Sequence, residues 1–188
     1  MRWLVFIVSA IVAVALDTGF STVFTLRGAW FLTPSFTACL VAFTALMAPP
    51  VAAIWAAWLV GMLVDLSPGV GEAAGSLHVI GPHALGYALG AWIVLNLRIY
   101  MFRRRVLTVA LLTFLCVLAA GLVQVAIGIL RFWMPWAGGE LVPFGAGEML
   151  HEAGNAAYSA LLAIPVGWVL LQTVPLWRFD YGTSRRSG

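Results

Sequence analysis

The chain has 188 residues, of which 63% are hydrophobic and only 9% charged, too few polar groups to cover a water-soluble core. Its formal charge of +3 comes from arginine alone, and in so apolar a chain that basicity marks loops at one membrane face rather than nucleic-acid binding. The expected fold class is all-α: a polytopic membrane helix bundle of about six transmembrane helices, one integral domain over 1–188 with membrane lipid as its surroundings.

The first apolar run, Trp3 to Leu26, opens after Arg2 and is interrupted only by Asp17. It exceeds the roughly 7 to 15 residues of a signal-peptide core and lacks a small-x-small cleavage site after it, so it reads as a retained helix. Asp17, two-thirds of the way along, is a candidate for an interior polar contact with Gln124 or Asn155. The second run is Ala29 to Met47 and holds Cys39, which together with Cys116 reads as a packing residue because neither has metal-ligand spacing.

The third run, Val51 to Leu66, spans only about 24 Å at 1.5 Å per residue. It places Ala53, Ala57, Gly61 and Asp65 at steps of four, one stripe of three small side chains and a carboxylate. Such stripes let helix backbones approach in lipid. The fourth run, Leu77 to Leu97, offers Gly86 and Gly90 with Ala84 and Ala88 beside them, so the third and fourth helices are expected to pack as a hairpin through these two stripes. Asp65, at its helix end before Leu66, Ser67, Pro68 and Gly69, is expected to be solvated, to cap the turn or to touch a partner.

A basic loop follows, with Arg98, Arg103, Arg104 and Arg105 as topology anchors; the cluster Arg103, Arg104 and Arg105 could attract anionic lipid head groups, but a topology anchor explains it fully. The fifth run is Val106 to Trp133 and the sixth Ala153 to Val174, with a short cytoplasmic tail over 175–188. The gap from Met134 to Glu152 is unusually apolar for a loop, with Leu141, Val142 and Phe144, and is expected to dip onto the bundle or receive a partner. Threading the six runs in order puts Arg2, Arg98, Arg103, Arg104, Arg105, Arg178, Arg185 and Arg186 on one side. Arg27 and Arg131 fall on the other with Glu72, Glu140, Glu148 and Glu152, so both termini are expected in the cytoplasm. Trp3, Trp30, Trp133, Trp136 and Trp177 lie at span ends where an indole suits the interface, while Trp55 and Trp58 lie deeper and are expected between helices. No internal repeat is evident.

Chemistry-bearing patterns are sparse. His78 and His83 are five apart and point about 140° apart on a helix, and His151 with Glu148 and Glu152 forms no zinc-protease signature, so no metal site is expected. Nothing resembles a nucleophile elbow or a phosphate-binding glycine loop, and neither enzymatic activity nor a cofactor is expected.

From Gly61 to Arg105 the order of features is more particular. Gly61 and Asp65 end a helix, a Leu66-Ser67-Pro68-Gly69 turn follows, and Gly81-Pro82-His83-Ala84-Leu85-Gly86-Tyr87 opens a small-residue helix closed by arginines. This resembles the rod shape-determining protein MreD family. The resemblance implies a non-enzymatic subunit, multi-pass in the bacterial inner membrane, of the complex that guides lateral cell-wall synthesis. Its partners would be an MreC-like bitopic protein and cell-wall synthesis proteins. Apart from the resemblance, a second copy of the chain is a further candidate partner. Ala53, Ala57, Gly61, Asp65, Gly86, Tyr87 and Gly90 would then serve helix packing or partner contact. The stretch from Ser67 to Gly81 and the loop before Glu148 depart from that pattern. The competing reading is the substrate-binding subunit of an energy-coupling-factor vitamin transporter, with an outward pocket among Glu72, Trp133, Trp136 and the 140–152 loop.

Overall fold

The computed structural model describes residues 2–19, 23, 32–67, 81–101, 105–132 and 146–177, and for 131, 132 and 146–148 the backbone alone. Among these residues the elements are six helices: α1 Trp3–Gly19, α2 Phe36–Met47, α3 Pro50–Leu66, α4 Pro82–Leu97, α5 Val106–Phe132 and α6 Ala146–Trp177. Within α5 and α6, Val106–Leu130 and Met149–Trp177 are each long and apolar enough to cross a membrane; α1, α2 and α3 are shorter apolar helices.

α2 is the axis of the bundle. All twelve of its residues, from Phe36 to Met47, are buried, and it packs against each of the other five helices. A helix of this length is about 18 Å long, well short of ~30 Å of hydrocarbon, so it depends on its neighbours for both burial and capping. It begins at Phe36, seven residues after the expected Ala29. Pro34 disfavours helix at Thr33, and Ser35 is extended (φ −114°, ψ 110°) and accepts the Ala38 N–H through its hydroxyl, a local helix start.

Around α2 the chain runs α3, α4, α5, α6 as successive antiparallel neighbours, each packed on the next. α1 closes the circle through a narrow stripe of Phe6, Ala10 and Ala13, spaced for one helix face. At one end of the bundle the Arg2 N–H donates to the Trp177 carbonyl (3.0 Å), tying the start of α1 to the end of α6. α3 and α4 both open on proline, Pro50 and Pro82, where the missing N–H costs no helical bond. Gly81, just before α4, has φ +125°, a conformation that favours glycine.

Two expectations about tryptophan are corrected. Trp55 and Trp58 are 56% and 36% exposed on the outer face of α3, edge to face at 5.9 Å, instead of lying between helices. Trp177, expected at an interface, is 1% exposed: its ring meets Phe43 of α2 edge to face at 5.3 Å, and its Nε1–H donates to Thr173 Oγ1 at 3.0 Å. A buried indole N–H needs a hydrogen-bond acceptor, which Thr173 supplies to Trp177.

Candidate functional site

The chemistry of the molecule gathers at the N-termini of α2 and α4, at the end of the bundle opposite Arg2. Every peptide N–H from Thr33 to Ala38 is met by a side chain; Pro34 has none to offer. Thr33 donates to Asn155 Oδ1 (3.0 Å) and Ser35 to Ser159 Oγ (3.0 Å), both on α6. Phe36 and Thr37 donate to Asp17 Oδ1 and Oδ2 of α1 at 2.6 and 3.0 Å, and Ala38 to Ser35 Oγ at 3.1 Å. The Thr37 hydroxyl also donates to Asp17 Oδ2 (2.6 Å), and Tyr87 Oη of α4 lies 3.0 Å from Thr37 Oγ1 and 3.1 Å from Ser35 Oγ. Four helices thus meet through one polar hub. The partner of Asp17 is the start of α2, and neither Gln124 nor Asn155 as expected; Asn155 joins the same segment through Thr33.

The reason is electrostatic. The first N–H groups of a helix have no partner within it and carry roughly half a positive charge, so a carboxylate placed there is stabilised while it satisfies the orphan donors. The carboxylate comes from the neighbouring helix α1, and it satisfies these first amides directly.

The same device recurs at α4. Asp65, 1% exposed at the end of α3, accepts Gly81 N–H and Ala84 N–H on Oδ2 (2.9 and 3.2 Å) and His83 N–H on Oδ1 (3.2 Å). The His83 ring adds Nδ1 at 2.7 Å from Oδ1 and meets Tyr87 edge to face, one turn along α4, with centroids 6.2 Å apart. Asp65 therefore caps the helix after the turn, and its buried oxygens are engaged with backbone. The two caps have almost the same chain separation, 19 and 20 residues from Asp17 to its amides and 16 to 19 from Asp65 to its own. This repeated unit was missed because its members share spacing and geometry rather than a run of residues; an aspartate near a helix end about 19 residues before a helix start with proline beside it was the available signal.

The small residues sit inside. Ala53, Ala57, Gly61, Asp65, Gly86, Tyr87 and Gly90 are all buried. A Cβ at Gly61 would lie 2.3 Å from Ala84 Cα, so α3 and α4 touch backbone to backbone one turn from the Asp65 cap. Gly86 and Gly90 face elsewhere than expected: a Cβ at either would meet Ala120 Cα (2.7 Å) or Cys116 Sγ (2.6 Å), both on α5. α4 is thus a central plate, with Ala84 turned to α3 and its glycines to α5, and no unfilled stripe of small residues is left among these seven. At the other end of α2, Arg98, expected as a topology anchor, donates from Nη1 to the Ala45 and Ala48 carbonyls (3.4 and 2.7 Å). The axial helix is therefore held by a carboxylate at its N-terminus and a guanidinium at its C-terminus, each matching the local dipole.

Arg105 is exposed at the head of α5. Arg103, Arg104, His78, Glu72, Trp133, Trp136 and Glu140 lie outside the described residues, as do 134–145 and the tail from 178, and with them most of the pocket of the transporter reading. The rest of the expected 134–152 loop is helix instead: α6 begins at Ala146, seven residues before the expected Ala153.

No curated protein and no solved structure matches the chain. A family model described as rod shape-determining protein MreD matches residues 1–135, which contain α1 to α5 and both aspartate caps. The match lends the transporter reading no support. With well over half of its length matched, this chain belongs to the MreD family of membrane proteins concerned with cell shape.

Proposed function

We propose that the protein is a non-enzymatic scaffold subunit of the bacterial machinery for lateral wall synthesis, holding an MreC-like bitopic protein and cell-wall synthesis proteins together in the inner membrane. In this reading it crosses the membrane six times with both termini in the cytoplasm. The arginine bias supports that orientation, and Arg2, Arg98 and Arg105 share one end of the bundle.

The observation that carries the reading, beside family membership, is how the intramembrane carboxylates are used. Asp17 and Asp65 both accept backbone N–H groups of a neighbouring helix, and among the described residues no buried side-chain polar atom is left without a partner. Groups used in this way build a rigid bundle. The seven small and polar residues act on partners through the shape of the α3–α4–α5 layer, and the outer face of α3, with Trp55, Trp58, Leu59 and Leu63, is what that layer presents.

Affinity purification of the tagged protein from its own membranes in mild detergent tests the reading. Recovery of a bitopic MreC-like protein together with wall-synthesis proteins is the expected result, and recovery of a coupling protein with an ATPase pair instead would overturn it.

A further inference from the structure

α6 divides sharply into two faces. Ala156, Ser159, Ala163 and Gly167 are buried, with Ser159 bonded to the start of α2 and Gly167 set against Val109 of α5. On the opposite side Leu161, Pro165, Trp168 and Gln172, at steps of three and four, are all exposed. Acyl chains would cover a purely apolar face at no cost, but this one carries three polar groups. Pro165 has no N–H to give the Leu161 carbonyl, so the helix leaves that acceptor open on the exposed side. Among the described residues neither the Trp168 indole N–H nor the Gln172 carboxamide has a hydrogen-bond partner, whereas the N–H of Trp177 is bonded to Thr173. Gln172 lies about 7.5 Å inside the Trp177 end of α6, and its Cα–Cβ bond tilts towards the helix N-terminus, away from that end. Hydrocarbon satisfies none of these groups, and each one left unmet in it costs free energy.

We propose that this face of α6 is the contact with a second copy of the chain, the two α6 helices lying side by side about a two-fold axis along the membrane normal. The polar groups decide the occupant. A carboxamide is both donor and acceptor, so two Gln172 side chains brought together by a two-fold axis satisfy each other. The face holds one further donor, the Trp168 N–H, and one further acceptor, the Leu161 carbonyl, so donors and acceptors balance when the face meets itself. Their spacing suits the exchange. Seven residues put the two Cα atoms about 10.5 Å apart along the axis, and the indole leans towards the N-terminus while the carbonyl points towards the C-terminus, which closes the gap from both sides. Insertion gives every copy the same orientation, so identical groups meet at the same depth, and no charged side chain lies between Ala157 and Leu176 to oppose the pairing. The proposal rests on α6 crossing the membrane and is independent of the wall-synthesis partners proposed above.

The full chain, tagged with donor or acceptor dye and reconstituted in phosphatidylethanolamine and phosphatidylglycerol vesicles, is diluted with lipid so that energy transfer reads its dimerisation. Gln172→Leu is expected to weaken the dimer by roughly tenfold, with the unfolding midpoint unchanged because Gln172 bonds nothing within the chain. A short bis-maleimide should link two copies that carry Leu161→Cys and not two that carry Leu122→Cys, an exposed position on α5, with the buried Cys39 and Cys116 left in place and the parent chain as blank. A monomer at every dilution, an unchanged dimer in Gln172→Leu, or equal linking at the α5 position each overturns the proposal. So does linking of Leu161→Cys to a different protein in native membranes, which would give the face to a foreign helix. Met149→Cys and Leu176→Cys, labelled singly from either side of intact cells, report whether α6 crosses; a helix that fails to cross, which also overturns the proposal, is thereby told apart from a face that fails to pair.

Discussion

Replacing Gly61 by alanine adds a single methyl group, yet at this position it should unseat a helix. The new Cβ would sit 2.3 Å from Ala84 Cα, 2.6 Å from Ala84 N and 2.6 Å from the His83 carbonyl oxygen, all backbone atoms of α4 that no rotamer change can move. Reaching the near edge of ordinary contact at 3.4 Å requires the two helices to part by about 1.1 Å. Asp65 lies one turn from Gly61 on the same stripe, and its bonds to Gly81, His83 and Ala84 already run from 2.9 to 3.2 Å, so the same movement carries them past hydrogen-bonding range. Overpacking costs ~1–3 kcal/mol and each lost bond to a buried charge ~1.5–3 kcal/mol, so a total of about 3 kcal/mol or more is expected even with partial relaxation. Gly128 on α5 is the matched control, since a Cβ there meets nothing within 4 Å, and the better helix propensity of alanine should leave Gly128→Ala neutral or more stable by ~0.5–1 kcal/mol. Both variants are compared with the parent protein by denaturant unfolding in mixed micelles. A Gly61→Ala variant within ~0.5 kcal/mol of the parent would refute the close α3–α4 contact and the reasoning built on it.

Asp17→Asn keeps the shape but gives up the charge and one acceptor facing Phe36 and Thr37, and should cost about 3 kcal/mol in the same unfolding assay, with Asp17→Ala costing at least as much. Tyr87→Phe removes one hydroxyl from a three-membered cluster whose other members, Ser35 and Thr37, still bond each other, so a loss of only about 1 kcal/mol is expected. Trp177→Ala should destabilise by ~3–5 kcal/mol because the ring is enclosed against Phe43, whereas Trp55→Ala, which faces outward, should stay within about 1 kcal/mol of the parent; the reverse order would show that the tryptophans are oriented as sequence position alone suggests.

The apolar runs announced the helices because hydropathy over some 20 residues is a property of the chain itself. The α3 stripe was legible for the same reason, since a period of four needs no knowledge of the neighbour. What it packs on was harder: Gly86 and Gly90 look like the natural complement of Gly61, yet α4 has two faces, and only the bundle decides that Ala84 meets α3 while the glycines meet Cys116 and Ala120. The start of α2 was overrun because Ala29 to Met47 is apolar throughout, and the local signal of Pro34 and Ser35 was outweighed by hydropathy. Asp17 could be recognised as too costly to face lipid, but its partner lies in backbone amides, which carry no residue identity. Arg98 was read from its loop, and its second task as cap of α2 depends on a helix 50 residues earlier in the chain.

The central claim is that the buried carboxylates of Asp17 and Asp65 serve the proposed scaffold by holding its helices together. Measuring the unfolding free energy and the recovery of cell shape for Asp65→Asn, Asp17→Asn and Gly61→Ala, each expressed in a strain lacking the endogenous protein, tests it most directly. The account predicts that shape recovery falls in step with stability across all three. An aspartate variant that is as stable as the parent and equally abundant in the membrane, yet restores no shape, would contradict it.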